Sequence, residues 1–182
     1  IDEAGGIGGK HFFDFDPLGG RELFSFHAGH LGSGVGRAAG IKLARPKQQV
    51  IALVGDGAFV FGPTALWNMA RLGLGVVVVV YNNHAYGGIH NRAISDVPGG
   101  RMVQTGRFVC DYLGNPDISM VDIARGFGVA GEAVHSPDEL PATLDRARRA
   151  TREGKPYLID AQVARVGVGW RDDPWTPTVD LT

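Results

Sequence analysis

The 182-residue chain has a single cysteine, no excess of either charge and no long apolar run, and each shortage removes a class of function. Cys110 alone forms no internal disulfide and holds neither a Cys-ligated iron–sulfur cluster nor a multi-Cys zinc site, a pattern that favours a reducing compartment. Lys and Arg number 18 against 19 Asp and Glu, so the formal charge of -1 supplies no basic field for nucleic acid and no acidic tail. The longest apolar run, Val76 to Tyr81, falls far short of the ~20 residues of a membrane span. No secretory signal is visible. These absences predict a soluble, cytoplasmic protein of one domain over 1–182, with a small-molecule site and neither a nucleic-acid nor a membrane partner. What the sequence does have is glycine: 28 residues, concentrated between Gly5 and Gly88, which mark tight turns and close backbone approach.

A Gly-rich linker over about 1–22 leads into "RELFSFHAGHLGSGVGRAAGIKLARP", a short strand, a Gly-rich loop and a helix ending before Pro46. "QQVIALVGDG" reads as a strand buried on both faces and broken by a turn. Gly62-Pro63 then opens a helix that Gly73 stops near Leu72. "GVVVVVYNN" is the next buried strand, and from about 89 to 117 the chain reads as a long irregular, lid-like loop. "SMVD" from Ser119 and "SPDE" from Ser136 predict two capped helices, each a Ser answered by an acid three residues on. "VAGEAV" and "PYLIDAQVA" complete an alternation of strands and helices. The predicted fold class is α/β, an open parallel sheet flanked by helices, with a ligand crevice at the carboxyl ends of the strands.

Asp56 and Asn83 each fall where a strand has just ended, 27 positions and one helix apart, so on neighbouring parallel strands they project into one crevice. A hard divalent cation such as Mg²⁺ takes octahedral oxygen ligands and is held by one or two protein groups together with phosphate oxygens. A carboxylate with a neutral amide suits a cation shared with a polyanion, since a second carboxylate would repel the phosphates. "GDG" alone is an ordinary Asp-Gly turn, and "NN" alone says as little. The pair, each after a strand, carries the signal. A rival overlaps it: Gly34, Gly36 and Ala39 satisfy a G-x-G-x-x-A dinucleotide fingerprint, with Asp56 placed 20 residues beyond Gly36 as the ribose acid. That reading, an NAD-binding oxidoreductase domain, leaves Asn82 and Asn83 unexplained.

"GDG" followed by "NN" after 24 residues resembles the cofactor signature of thiamine diphosphate enzymes. The stretch "GHLGSGVGRAAGIKLARPKQQVIALVGDGAF" is similar to the acetolactate synthase, benzoylformate decarboxylase and 2-hydroxyacyl-CoA lyase group, with looser likeness at "VDIARGFGV" and "PYLIDAQV". All of it corresponds to the C-terminal, diphosphate-binding domain of that group. The resemblance implies thiamine diphosphate and Mg²⁺ as cofactors. It implies Asp56, Asn83 and the backbone carbonyl of Ala85 as metal ligands, and the backbone around Gly55, Gly57, Ala58, Gly87 and Gly88 as the diphosphate cradle. Leu31 falls where the group places a bulky apolar residue under the bent cofactor, and Gly29 carbonyl and Leu31 amide would hold the pyrimidine edge; a core leucine is the plainer reading of Leu31.

The group needs a glutamate on the pyrimidine nitrogen, and that residue belongs to a different domain. Glu3 corresponds to the linker, while Glu22, Glu132, Glu139 and Glu153 read as loop, strand and surface-helix positions. A second subunit carrying the pyrimidine-binding domain and the catalytic Glu is therefore expected, in a heterotetramer or larger assembly. The implied reaction breaks or makes a carbon–carbon bond beside a carbonyl, on 2-oxo acids, acyloins or 2-hydroxyacyl-CoA. Two alternatives remain open: the thiamine-binding subunit of a 2-oxoacid dehydrogenase, and a non-catalytic cofactor-holding scaffold subunit. Histidines near neutrality suit proton transfer. Of His27, His30, His84 and His90, which flank the cofactor loops, His30 beside Leu31 is the expected active-site residue. Arg92, Arg101 and Arg107 read as solvated charges or as a clamp for an anionic substrate, and Trp170 with the tail as a cover for the cleft or a partner.

Overall fold

The computed structural model describes residues 1–4, 24, 30–108, 111–114 and 116–164. They fall into two compact units, Ile1–Asn82 with Ser119–Gln162, and Asn83–Ile118 with Val163–Thr182.

The first unit is built on a five-stranded sheet of β1 (Asp2–Glu3), β2 (Val50–Gly55), β3 (Val76–Asn82), β4 (Ala130–Val134) and β5 (Tyr157–Gln162), in the order β1-β2-β3-β5-β4. Every pairing is parallel, as the alternation of elements predicts. Five consecutive valines make β3 the central strand because both of its faces are covered, and Val76 to Val80 are all buried. Val77 and Val79 pack with Ile159, Val134 and Ala147 on one side. Side chains alternate along a strand, so Val76, Val78 and Val80 face the other way.

On β2 the expectation of burial on both faces does not hold. Val50, Ala52 and Val54 are buried, whereas Ile51 is 40% exposed. The strand beside it is only two residues long, so little lies alongside to extend the covering layer. The expected linker also needs correction at its start. Ile1 to Ala4 are buried, and Asp2 and Glu3 pair with Leu53 and Val54 as the edge strand β1.

Helix α1 (Ser33–Ala44) packs on β2, and α2 (Asp56–Phe61) follows β2 without a connecting residue. Helix α3 (Ala65–Leu72) starts just past Pro63, buries Leu66 and Met69 three apart, and ends at Gly73, whose φ of 63° closes the turn. Between β3 and β4 lies α6 (Met120–Gly126), capped by the Ser119 hydroxyl, which accepts the Asp122 N–H at 3.1 Å. Ser136 caps a 3₁₀ turn, Pro137–Glu139, that leads into α7 (Leu140–Arg152). Glu139 there reaches back to the His135 N–H rather than to that of Ser136, so the capping box is shifted by one residue. Leu140 and Ala147 then lie on the core.

The second unit corrects the lid-like loop. Residues 87–105 hold two helices, α4 (Gly87–Asp96) and α5 (Arg101–Thr105). Pro98 and the Gly99-Gly100 pair read as irregular but separate two helices: the Gly100 N–H bonds to the Val97 carbonyl, and the Gln104 side chain to the Gly99 carbonyl.

Candidate functional site

Asp56 is the residue after β2 and Asn83 the residue after β3, and those strands are hydrogen-bonded neighbours with Gly55 opposite Tyr81. "GDG" is not a turn. Asp56 is the first residue of α2, where its carboxylate suits the positive helix end. It is only 3% exposed, and its Oδ1 accepts the Gly57 N–H at 2.8 Å. Gly57 and Ala58, in the same first turn, are buried, so a carboxylate and backbone amides share one short stretch at the carboxyl end of the sheet.

The loop before α1 is fastened to the far end of α2. Gly32 has φ 87°, and a Cβ on Gly62 would stand 2.0 Å from the Gly32 carbonyl oxygen. This backbone-to-backbone approach fixes His30 and Leu31 relative to the helix that begins with Asp56. Leu31 is 52% exposed, which removes the reading of a core leucine and leaves an exposed apolar side chain on this loop. His30 is exposed as well. Gly29, His27, Glu22 and Trp170 lie outside the described residues.

The dinucleotide fingerprint has a different physical meaning here. The N–H groups of Ser33 and Gly34, which such a motif would offer to a pyrophosphate, are taken by the Glu3 carboxylate at 3.1 and 2.8 Å. A Cβ on Gly34 would lie 2.6 Å from Glu3 Oε2, so this glycine makes room for a protein carboxylate. The N-terminus of α1 already has its anion.

In the second unit, Asn83 Oδ1 accepts the Ala85 N–H at 3.0 Å. His84 between them has φ 56°, the one non-glycine described residue in the left-handed region. Two strand-like bonds hold this turn: Tyr86 N–H to the Asp111 carbonyl at 2.7 Å and Leu113 N–H to the His84 carbonyl at 2.8 Å, around an Ala85–Tyr112 bridge. Helix α4 then opens on Gly87 and Gly88 with no side-chain cap and no acid in its first turn, which suits an anion. A Cβ on Gly87 would press to 3.0 Å from Asn83 Nδ2, whereas Gly88 faces open space. This backbone-rich segment after β3 has no acid of its own, and its amides suit a diphosphate. Among the described residues no group of three or more His, Cys, Asp or Glu is placed to hold a metal, so an all-side-chain site of the zinc type has no candidate there.

His90 is only 2% exposed; its Nδ1 lies 3.2 Å from Asp111 Oδ2, and its ring packs 4.0 Å from Phe108. Burial pushes the Asp111 carboxyl above its ordinary value, and the His90 hydrogen bond opposes part of that rise. This pair ties α4 to the segment that brackets Ala85, a structural role that the sequence does not reveal because 21 residues separate the partners. His84 Nδ1 lies 3.7 Å from Asp117 Oδ1. Arg92 pairs with Asp96 one turn along α4, and Arg101 and Arg107 are exposed.

The family described as thiamine pyrophosphate enzyme, C-terminal TPP binding domain, matches residues 5–161. The chain belongs to that family. Over 139 residues this thiamine diphosphate-binding domain is 36% identical to benzoylformate decarboxylase of Pseudomonas aeruginosa, covering 73% of the chain and 23% of the relative. Over 154 residues it is 30% identical to acetolactate synthase of Bacillus subtilis, covering 85% of the chain and 24% of the relative. Among solved structures it is similar to the thiamine diphosphate-dependent 4-hydroxybenzoylformate decarboxylase of Rhodococcus jostii, with TM-score 0.64 and 32% identity over 75% of the chain and 24% of that protein. The chain thus spans about a quarter of the length of the relatives it matches. Mg²⁺ is the usual partner metal in this family. No described helix is long and apolar enough to cross a membrane.

Proposed function

We propose that this domain is the diphosphate-binding half of a thiamine diphosphate- and Mg²⁺-dependent lyase, decarboxylase or carboligase acting on carbon–carbon bonds beside a carbonyl. The observation that carries the reading is Asp56, a buried carboxylate opening a helix at the carboxyl end of β2 within the matched domain. Asp56, Asn83 and the Ala85 carbonyl would hold Mg²⁺, and the amides of Gly57, Ala58, Gly87 and Gly88 would hold the diphosphate. When bound, the cofactor supplies a carbon nucleophile for a substrate carbonyl. The protein's part is positioning. Leu31 would support the thiamine part of the cofactor from its exposed place, and His30 beside it would exchange a proton with the substrate oxygen.

We further propose, as the resemblance implies, that the pyrimidine-binding domain and its catalytic Glu come from a second subunit in a hetero-oligomer. The curated relatives, about four times as long, support the need for further domains. 2-Oxo acids are the favoured substrates, because both decarboxylase relatives are named for benzoylformates. Native mass spectrometry of the assembly from its source cells tests the proposal. A second polypeptide and bound Mg²⁺–thiamine diphosphate are expected, and Asp56→Ala should lose the cofactor while the assembly survives. An Asp56→Ala assembly that keeps cofactor and activity would overturn the metal assignment.

A further inference from the structure

Glu3 is a buried carboxylate that the proposed site does not use. It is 5% exposed on the edge strand β1, and both of its oxygens are engaged at one helix end. Oε1 accepts the Ser33 N–H at 3.1 Å and Oε2 the Gly34 N–H at 2.8 Å. These are the first two amides of α1, a helix whose own first turn has no acid and whose N-cap, Gly32, has no side chain to offer. The Ser33 hydroxyl lies 3.4 Å from Glu3 Oε1 and 3.4 Å from the His30 carbonyl, so it donates to one or the other and couples the carboxylate to the loop before the helix. Leu31 sits between that carbonyl and Gly32, whose carbonyl is pinned in turn against Gly62 at the end of the Asp56 helix. The loop is held from two sides, by Gly62 and by Glu3.

We propose that Glu3 is a positioning residue for the cofactor: by anchoring the first turn of α1 to the edge of the sheet it sets where Leu31 stands. The inference rests on the role given to Leu31 above. A glutamine in its place presents an N–H₂ to one of two amide donors and loses the charge that suits the helix end. The first turn then loosens, and the thiamine part of the cofactor should feel this while the diphosphate part does not.

The test uses the complete enzyme that carries this chain, titrated with thiamine diphosphate and, separately, with inorganic diphosphate, both with Mg²⁺. Glu3→Gln and Leu31→Ala are each expected to weaken thiamine diphosphate about tenfold while leaving inorganic diphosphate within about twofold, since the first loses a charge-assisted bond to a helix end and the second an apolar contact, each worth roughly that factor. Both should also alter the near-ultraviolet circular dichroism of the bound cofactor. Ser119→Ala, which removes a cap on α6, controls for general loss of stability and should bind both ligands normally. If Glu3→Gln does not fold, Gly34→Ala displaces the carboxylate from the other side. Normal binding by the Glu3 variant, equal loss of both ligands, or the same loss in Ser119→Ala would overturn the proposal. A selective loss in Glu3→Gln with Leu31→Ala unaffected would overturn the route through Leu31. Failure of the unaltered enzyme to bind thiamine diphosphate would instead overturn the function proposed above, and this inference with it.

Discussion

Two glycines of the same chain should respond in opposite directions to the same substitution. A Cβ at Gly62 would stand 2.0 Å from the Gly32 carbonyl oxygen and 2.9 Å from its carbon, with ordinary contact beginning at 3.4 Å, so the two backbones must separate by 3.4 − 2.0 = 1.4 Å. The obstacle is main chain on both sides, and no side chain can rotate away. Overpacking of this kind costs about 1–3 kcal/mol, or a fall in thermal midpoint of about 2–12 °C. Gly40 lies inside α1, is exposed and meets nothing within 4 Å. Gly40→Ala there gains helix propensity of about 1 kcal/mol and should raise the midpoint by about 2–4 °C. Thermal unfolding followed by circular dichroism reads both, and thiamine diphosphate titration adds the functional half. Gly62→Ala moves the Leu31 loop off the Asp56 helix and should weaken the cofactor, whereas Gly40→Ala should not. Equal midpoints for the two variants, or a Gly62→Ala protein with native cofactor affinity, would refute the claim that this backbone contact sets the loop.

Asp111→Ala removes the 3.2 Å contact to the buried His90 Nδ1 and should cost about 1–3 kcal/mol, with faster amide hydrogen exchange at Tyr86. The Glu132 carboxyl is held below its ordinary value chiefly by the hydrogen bonds from Arg146, helped by Tyr157. A depressed folded value means that the contribution is present above the unfolded value and is lost as pH falls through the folded one. Glu132→Gln should therefore lower the thermal midpoint at neutral pH, with the gap to the unaltered protein closing in acid; a gap independent of pH would contradict this. Ser119→Ala removes the α6 cap and should cost about 1 kcal/mol in chemical denaturation.

The parts of the fold written in local pattern were legible in the sequence. The valine run announced β3, Pro63 and Gly73 bracketed α3, and Ser119 marked the start of α6 to the residue. What escaped depends on contacts between distant residues. β1 is two residues long and exists because β2 lies beside it. Glu3 meets its amides 30 and 31 positions away, so no window of sequence contains the pair. Flanking glycines made Asp56 look like a turn residue, although its place at a helix start serves an anion better. The residues around Ala85 follow the same rule: Tyr112 and Asp111 shape that turn from beyond two helices that Pro98 and its neighbouring glycines disguised.

The pairing of β3 with β5 joins Val77 to Tyr157 across 157 − 77 = 80 residues of chain. During synthesis the five valines emerge long before their second neighbour, and until β5 arrives one edge of the most apolar of the described strands stays open. Such an edge recruits any other extended apolar segment, and nonlocal parallel pairing closes it slowly. The stretch that makes the sheet's centre is thus also its period of greatest exposure to misassembly, and the yield of soluble protein should depend more on the rate at which residues 130–162 follow than on the stability of the finished sheet.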